Sequence, residues 1–393
     1  MNELSAGESL LMKKMLSTLL LAITAAASFA APAPIPAPPA IPTNGYILID
    51  HDSGRVLAEQ RSDERMEPAS ITKLMTAYIA FQALKEKRLA LTDNVVVSEN
   101  AWRTGGSASG GSTTFLEVGS TVPVEVLIKG MIIQSGNDAT IALAEKLGGT
   151  EGGFVQMMNE YAKRLGLKGT HFQNSWGGPS PEHYSTARDL AALSRALIRE
   201  FPDYYRYYSQ REFTWNKHTQ PNRNGLLGRD PSVDGIKTGH TDSAKYCLVT
   251  SANRNGMRLI SVVLGSPTIK AREDASAALL NYGYTFFETV KLKDAGATVV
   301  SPQVYKGAAE SVAVGSRAPV SVTIARGQGS SIKTAWEVKG PLVAPIAAGA
   351  VVGEFTVQVG DEVVARVPLV ALAKVDEGGL WRRMVDTVKL WFE

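Results

Sequence analysis

The hydrophobic pattern of residues 68–79 predicts a helix with one buried face. Its apolar side chains recur at positions i, i+3, i+4, i+7 and i+8, namely Ile71, Leu74, Met75, Tyr78 and Ile79. Pro68 suits the first turn of a helix, where a missing N–H group costs nothing. Ser70 and Lys73 are three residues apart, so they are neighbours on the helix surface beside the buried stripe.

The pattern up to residue 287 predicts a domain in which helices pack on an antiparallel sheet. Strands are expected at 45–50, 56–57, 246–251 and 258–264, and the hairpin signal Asn255-Gly256 joins the last two. Helices are expected at 123–133, 139–147, 154–165, 190–197 and 271–287. Residues 95–119 are rich in glycine, serine and threonine and are expected to form a long loop. We therefore predict an α/β (α+β) domain over residues 43–287.

Beyond residue 287 the pattern changes to short valine-rich runs. Residues 321–324 and 355–359 alternate as strands do, and the second run turns at Gly360-Asp361 into another strand at 363–367. These runs predict a small all-β domain over residues 288–374. It carries no cluster of catalytic residue types, so we interpret it as a structural or spacer domain.

Residues 375–393 form a separate, amphipathic tail. Its apolar side chains share one helical face, and its charged side chains lie off that face: Trp381, Met384, Val385, Val388, Trp391 and Phe392 against Arg382, Arg383, Asp386 and Lys389. The tail is too short and too charged to span a bilayer. We predict a helix that lies in a membrane surface, with docking on the protein as the alternative. Two tryptophans at the end of the chain favour the membrane.

The first residues have the composition of an export signal. Lys13 and Lys14 precede an apolar run over residues 15–27, and Ser28 and Ala30 are small residues at the −3 and −1 positions. We expect a signal peptide over residues 1–30, cleaved after Ala30, and a proline- and alanine-rich linker over residues 31–42. Residues 1–11 are polar and acidic, so Met12 is an alternative start of translation.

Composition excludes several classes of function. The formal net charge is only +3 and the basic residues are dispersed, so nucleic acid is not an expected partner. Cys247 is the single cysteine and lies in an apolar run, which excludes an internal disulfide and favours a buried structural role. The five histidines lack metal-ligand spacing: His51, His171, His183, His218 and His240. We expect neither a metal nor any other cofactor.

Three short motifs occur in contexts that suit an active site. Ser70-x-x-Lys73 opens a helix, Ser135-Gly136-Asn137 lies between two buried helices, and Lys237-Thr238-Gly239 ends a strand. Each motif alone carries little weight, because the chain contains further copies in other settings: Ser330-x-x-Lys333, Ser98-x-Asn100 and Ser251-x-Asn253. A polar segment between two buried helices is costly unless its groups are paired or used.

Together the three motifs resemble the active site of the penicillin-binding proteins and serine β-lactamases. The longer strings around them, residues 68–76, 134–139 and 234–241, are similar to those of the D-alanyl-D-alanine carboxypeptidases of the penicillin-binding protein 5 type, peptidase family S11. This likeness covers nearly the whole chain. It implies a β-lactamase/transpeptidase-like domain, a β-rich second domain and a C-terminal membrane anchor. It further implies a function in peptidoglycan synthesis and cell shape.

The resemblance implies a role for each motif residue. Ser70 would attack the carbonyl of the penultimate D-alanine and form an acyl-enzyme, with Lys73 as the base. A free lysine titrates near ~10.4, so burial and the nearby Lys237 cation would have to lower the pKa of Lys73. Ser135 would relay the proton to the leaving D-alanine, and Asn137 would hold the substrate amide. The backbone N–H groups of Ser70 and His240 would form the oxyanion hole.

The substrate ends in a carboxylate, which the resemblance assigns to a second group of residues. Thr238 and Lys237 would meet it, with Arg223 and Arg272 as electrostatic support. Gly239 is a further substrate-binding candidate. A solvated surface charge is the alternative for each arginine, and for Arg272 the two interpretations are evenly matched. The expected partners are peptidoglycan stem peptides ending in D-Ala-D-Ala, β-lactam antibiotics and the membrane surface. The expected location is the periplasmic face of the inner membrane.

Three alternatives share these motifs. A serine β-lactamase is disfavoured, because no Glu-x-x-Leu-Asn follows Asn137 before Lys237 to drive water onto an acyl-enzyme. A D,D-endopeptidase would use the same residues on cross-linked peptides. A non-catalytic scaffold would bind cell-wall peptides without forming a covalent bond to Ser70.

Overall fold

The structure is a computed structural model that describes residues 35–392. The predicted signal peptide and the first part of the predicted linker lie outside the described residues. Residues 35–41 have no regular secondary structure. Among the described residues, no helix combines the length and the apolar character needed to cross a membrane.

An antiparallel five-stranded sheet with the order β2-β1-β9-β8-β7 forms the centre of the first domain. The strands of this domain are β1 (Gly45–Asp50), β2 (Val56–Gln60), β3 (Asn94–Val96), β4 (Thr121–Pro123), β5 (Glu212–Trp215), β6 (His218–Pro221), β7 (Val233–Thr241), β8 (Lys245–Arg254) and β9 (Met257–Ser266). Strands β3 with β4 and β5 with β6 form two small separate ribbons. Asn255 and Gly256 both have positive φ in the turn between β8 and β9, which confirms the predicted hairpin.

The helices surround this sheet. They are α1 (Lys73–Lys85), α2 (Glu99–Gly105), α3 (Val124–Lys129), α4 (Asn137–Gly148), α5 (Glu151–Arg164), α6 (Ala187–Glu200), α7 (Pro202–Tyr205), α8 (Leu226–Arg229) and α9 (Ile269–Phe286). The Thr186 hydroxyl accepts a hydrogen bond from the Asp189 N–H and so caps the start of α6. The expectation of one loop over residues 95–119 was wrong in part, because α2 begins there with Ser98 as its N-cap.

Both faces of the sheet are buried, which makes the domain three-layered. Along β1, Ile47 and Ile49 face a core formed with the helical cluster, whereas Tyr46 and Leu48 face a second core formed with α9. This alternation explains why every residue of β1 is buried. The predicted fold class, helices packed on an antiparallel sheet, is confirmed.

Helix α1 differs from its prediction. The expected amphipathic helix is buried on nearly every side, and Lys73 itself is only 1% exposed. The face opposite the apolar stripe carries small residues, among them Ala77, Ala80 and Ala83, against which neighbouring helices pack closely. The active-site helix therefore runs through the middle of the domain and is not part of its surface.

The second domain is all-β, as predicted. Its strands are β10 (Phe287–Lys293), β11 (Thr298–Val300), β12 (Val304–Tyr305), β13 (Val314–Gly315), β14 (Val320–Ala325), β15 (Ile332–Val338), β16 (Leu342–Val343), β17 (Val351–Val359) and β18 (Glu362–Ala371). Five of them form a sheet with the order β11-β13-β18-β17-β15. Thr289 donates to the buried Asp50 carboxylate at 2.6 Å, and Arg55 donates to the Thr323 carbonyl at 2.6 Å, so polar contacts join the two domains.

The chain ends in helix α10 (Leu380–Lys389), whose polar side faces the second domain. The buried Asp386 carboxylate accepts a hydrogen bond from the Lys306 N–H at 2.7 Å. Trp381 and Trp391 are 77% and 78% exposed, and Leu380, Met384 and Phe392 are exposed with them. Polar contacts thus attach the helix to the protein while its apolar side chains face outward.

Candidate active site

Ser70 lies in a strained turn at the start of the buried helix. A 3₁₀ turn over Ala69–Thr72 leads directly into α1. Ala69 has φ = +48°, a left-handed conformation that costs about 1–3 kcal/mol in a residue with a side chain. The turn also meets the backbone at Gly177, where a Cβ would lie 1.9 Å from the Ala69 carbonyl oxygen. Tight packing thus fixes the backbone that presents the Ser70 hydroxyl.

The Lys73 amine is fully enclosed and has three oxygen neighbours. Its Nζ lies 2.9 Å from Ser70 Oγ, 2.8 Å from Asn137 Oδ1 and 2.6 Å from the Trp176 carbonyl oxygen. Burial disfavours the ammonium form and lowers the pKa of Lys73 to about 7, although the nearby Asp138 carboxylate opposes the shift. A substantial fraction of Lys73 is therefore an uncharged amine at neutral pH, beside the hydroxyl that it would deprotonate.

The second motif forms the opposite wall of the site. A π-turn over Gly130–Gln134 follows α3 and delivers Ser135 in a left-handed conformation, φ = +67°, at the start of α4. Lys237 Nζ donates to Ser135 Oγ at 2.9 Å and to the Thr238 carbonyl at 2.9 Å. The structure therefore brings the three motifs together as two linked pairs, Ser70 with Lys73 and Ser135 with Lys237.

The electrostatics of the lysine pair differ from the expectation. Burial lowers the pKa of Lys237 well below its ordinary value, and the charges of Lys73, Arg272 and Arg223 lower it further. The shift of Lys73 comes from its own burial and not chiefly from a Lys237 cation. The two lysines thus compete for charge, and a bound carboxylate would favour protonation of Lys237.

Strand β7 is an edge strand of the sheet and lines the cleft with three successive residues, Thr238, Gly239 and His240. A Cβ on Gly239 would lie 2.9 Å from the Pro68 carbonyl oxygen, so the strand runs in contact with the nucleophile turn. The exposed His240 ring stacks on Tyr246 with centroids 4.2 Å apart. The proposed oxyanion hole stays a prediction.

The two arginines occupy different positions. Arg272 is buried, and its guanidinium lies 3.3 Å from the Gly239 carbonyl and 3.4 Å from the Cys247 carbonyl. Arg223 is exposed, and its guanidinium lies 2.8 Å from the side-chain oxygen of Gln134 when that amide is turned to satisfy its neighbours. Both arginines line the cleft, so Arg272 is not the solvated surface charge that the sequence left open.

The cleft has a volume of about 460 Å³ and is open to solvent at the predicted site residues. Its lining includes Ser70, Ser135, Arg223, Thr238, Gly239, His240 and Arg272, with Gly111, Ser112, Tyr246 and Ile269 in addition. Asn137 is buried and points its Nδ2 toward Gly111, where a Cβ would come within 2.6 Å. The cleft therefore has room for a peptide terminus between β7 and the segment around Gly111.

Two functional groups had escaped the sequence analysis. Asp138 is completely buried and accepts hydrogen bonds from Thr113 Oγ1 and from the N–H groups of Thr114 and Leu116, so it shapes the wall around residues 111–116. The Trp176 carbonyl holds Lys73. Asp138 follows the second motif directly, so a charged residue between two buried helices could have been predicted to matter. The role of the Trp176 carbonyl could not, because every residue has a backbone carbonyl.

The surplus copy of the first motif lies in a different setting. Ser330 and Ser331 form a 3₁₀ turn with Gly329, and Lys333 is exposed on β15 in the second domain. Unlike Lys73, that lysine is not buried. Location in a packed helix is therefore what distinguishes the Ser70 copy.

Comparison with known proteins assigns both domains. Residues 33–268 match the family model described as D-alanyl-D-alanine carboxypeptidase, and residues 287–377 match the model for the C-terminal domain of penicillin-binding protein 5. The D-alanyl-D-alanine carboxypeptidase DacC of Escherichia coli is 45% identical over 357 residues, which cover 90% of this chain and 89% of the relative. DacA of the same organism is 44% identical over 91% of this chain and 90% of its own length.

Solved structures show the same architecture. Penicillin-binding protein 5 from Haemophilus influenzae is similar with a TM-score of 0.80 and 42% identity, over 87% of this chain and all of that one. Penicillin-binding protein 6B from Escherichia coli is similar with a TM-score of 0.71 and 36% identity, over 86% of this chain and 98% of the other.

Proposed function

The chain belongs to the D-alanyl-D-alanine carboxypeptidase family of serine peptidases, and we propose how its residues carry out the reaction. The protein is a D-alanyl-D-alanine carboxypeptidase with a penicillin-binding fold. The observation that carries the mechanism is the buried Lys73 amine at 2.9 Å from Ser70 Oγ, in an open cleft.

Acylation begins at Ser70. Its Oγ attacks the carbonyl carbon of the penultimate D-alanine while its proton passes to the uncharged Lys73 amine. The tetrahedral intermediate collapses when the peptide C–N bond breaks. Ser135 then gives its hydroxyl proton to the leaving amine nitrogen and recovers a proton from Lys73. The products of this half-reaction are free D-alanine and an ester on Ser70.

Deacylation returns the enzyme to its starting state. Water attacks the ester carbonyl, loses a proton to Lys73, and the Ser70 oxygen leaves and is reprotonated. The substrate carboxylate is held by Thr238, with Lys237, Arg223 and Arg272 as the surrounding positive charge. Because Thr238 and the two arginines line the same cleft as Ser70, binding places the scissile carbonyl next to the nucleophile.

The choice of substrate is tested by two peptides. A pentapeptide ending in D-Ala-D-Ala should release free D-alanine, whereas a cross-linked peptide dimer should be cleaved much more slowly. Faster cleavage of the dimer would identify a D,D-endopeptidase. Hydrolysis of penicillin with rapid turnover would identify a β-lactamase. Failure of penicillin to label Ser70 would indicate a non-catalytic scaffold. Mass spectrometry of the Ser70 peptide supplies that last result.

We expect acylation to follow the titration of Lys73. Below its pKa of about 7 the amine is protonated and cannot accept the Ser70 proton, so the rate should rise with pH and level off above neutrality. The second-order rate constant for labelling by a fluorescent penicillin, measured from pH 5 to 10, checks this. A rate that rises only in the range of an ordinary lysine, near ~10.4, would exclude an uncharged Lys73.

We further propose that the protein is exported and attaches to the periplasmic face of the inner membrane. The export signal over residues 1–30 and the linker of residues 31–42 support secretion. Helix α10 supports attachment, because polar contacts of Asp386 secure it while Trp381 and Trp391 face outward. Indole rings prefer the interface between lipid headgroups and acyl chains. The second domain would then act as a spacer between membrane and cleft.

Removal of residues 378–393 should release the protein from membranes and leave activity on small peptides unchanged. The full-length variant Trp381→Ser/Trp391→Ser should weaken binding to anionic vesicles in a sedimentation assay. Trp336→Ser is a matched control, since Trp336 is 52% exposed on β15 and lies outside the proposed membrane contact. If the truncated protein still sediments with vesicles, α10 is not the anchor.

A further inference from the structure

His183 is a buried histidine whose two ring nitrogens connect separate parts of the active-site scaffold. Nδ1 accepts a hydrogen bond from the Gln173 N–H at 3.1 Å. This bond requires an unprotonated Nδ1, so the proton is on Nε2, which donates to Thr72 Oγ1 at 2.8 Å. Both Thr72 and His183 are buried, and Thr72 lies in the turn between Ser70 and Lys73.

The far side of this connection is residues 173–177, which we call the carbonyl segment. The carbonyl segment contacts the nucleophile turn and the start of α1 at three further places. The Ser175 carbonyl accepts from Thr76 Oγ1 at 2.6 Å, and the Trp176 carbonyl accepts from Lys73 Nζ at 2.6 Å. Gly177 packs against the Ala69 carbonyl oxygen. His183 therefore joins the nucleophile turn to a segment that also contacts the Lys73 amine, through the Trp176 carbonyl.

The hydrogen-bond partners of Lys73 show how the carbonyl segment can control the orientation of the amine. An uncharged amine has two N–H groups and one lone pair. With Asn137 Oδ1 and the Trp176 carbonyl as the two acceptors, the lone pair is left to face Ser70 Oγ, as a base requires. A displaced Trp176 carbonyl would free one N–H and let the amine rotate its lone pair away from the serine.

We propose that His183 is a positioning residue for acylation: it ties the turn of Ser70 to the carbonyl segment and thereby holds the Trp176 carbonyl where it orients the Lys73 amine. This inference rests on the proposed function, in which Lys73 is the base. His183 touches neither substrate nor the reacting atoms, so its contribution passes entirely through Thr72, Gln173 and the carbonyl segment.

The surroundings keep His183 in the required tautomer. Burial lowers its pKa to about 4, and the charges of His171 and Lys73 act in the same direction. A protonated ring would carry a hydrogen on Nδ1, opposite the Gln173 N–H. The ring therefore stays neutral wherever Lys73 acts as a base. Its edge-to-face contact with Phe172, with centroids 5.8 Å apart, fixes the ring plane.

The test measures penicillin acylation of the full chain by stopped flow, which separates the binding constant Kd from the acylation rate constant. His183→Leu fills the space but forms neither hydrogen bond. We expect its acylation rate constant to fall by roughly 10- to 100-fold, the loss that a misplacement of about 1 Å produces. Its Kd should stay within a few-fold of wild type, because the cleft residues are untouched. His183→Gln can form both bonds and should restore most of the rate constant.

Two further variants keep the test decisive. Thr72→Val removes only the acceptor of the Nε2 bond and should reproduce the loss, which matters if His183→Leu does not fold. His171→Gln is the matched control and should behave as wild type, since the His171 ring hydrogen-bonds the Glu182 carbonyl and its main chain pairs with Tyr184, away from the Thr72 and Gln173 bonds. The inference is overturned if a folded His183→Leu or Thr72→Val acylates at the wild-type rate constant. It is equally overturned if only Kd changes, or if His183→Gln is as slow as His183→Leu. If wild type itself is not acylated, the proposed function has failed instead.

Discussion

Replacement of Lys73 by alanine is expected to abolish labelling of Ser70 by penicillin and release of D-alanine. The variant loses the base, and general-base catalysis contributes roughly 10²–10⁴-fold. Among the described residues, Lys73 Nζ is the basic group that hydrogen-bonds Ser70 Oγ, and Lys237 hydrogen-bonds Ser135 instead. We therefore expect no other side chain to replace it. Covalent labelling followed over hours, together with the D-alanine assay, measures the loss.

The matched control for this variant is Lys333→Ala. Lys333 belongs to the other Ser-x-x-Lys copy and is exposed on β15, so both activities should stay at the wild-type level. Thermal unfolding of Lys73→Ala should show a folded protein, because the helix keeps its apolar contacts. Substantial labelling of a folded Lys73→Ala protein would remove Lys73 from the role of base.

Replacement of Asp138 by asparagine is expected to reduce both stability and the pH at which the enzyme becomes active. The buried carboxylate accepts four donors, from Thr113 Oγ1 and the N–H groups of Thr114, Leu116 and Ala139. An amide replaces one acceptor oxygen by an NH₂ group. Loss of two charge-assisted bonds costs about 3–6 kcal/mol, which chemical denaturation would detect.

The pH effect follows from the charge of Asp138. Its carboxylate raises the pKa of Lys73 and so opposes the effect of burial. Without it the ammonium is less favoured, the pKa falls further, and acylation should begin at lower pH. The pH profile of penicillin labelling, measured on folded Asp138→Asn protein, shows this shift of the Lys73 pKa.

Asp189→Asn is the control for Asp138→Asn. Asp189 is also a buried carboxylate and accepts from the Gly169 N–H and Thr170 Oγ1, both at 2.7 Å, but it is not among the charges that act on Lys73. The Asp189→Asn variant should be less stable than wild type, but its pH profile of penicillin labelling should not change. An unchanged profile in Asp138→Asn would mean that Asp138 does not influence Lys73.

Several features of this structure could be predicted because local chemistry determines them. The β1 strand and the Asn255-Gly256 turn each depend on neighbouring residues in the sequence. The same holds for the Ser70 and Lys73 pair, since three-residue spacing in a helical turn brings the two side chains together.

Other features depend on distant parts of the chain and were missed for that reason. Helix α1 reads as amphipathic because alanines on its second face carry a weak hydrophobic signal, yet neighbouring helices bury that face. Helix α2 lies within a glycine-rich stretch whose composition suggested a loop. The contact of the Trp176 carbonyl with Lys73 depends on packing between distant segments. The same holds for the burial that lowers the pKa of Lys73.

The mechanism requires that a substantial fraction of Lys73 is uncharged at neutral pH beside Ser70. The most direct measurement is an NMR titration of the protein labelled with ¹³C at the lysine ε-carbons, with the Lys73 resonance identified by its absence from Lys73→Ala. We expect a midpoint near pH 7 for that resonance. A midpoint in the ordinary lysine range, near ~10.4, would show a charged ammonium at neutral pH and contradict the mechanism.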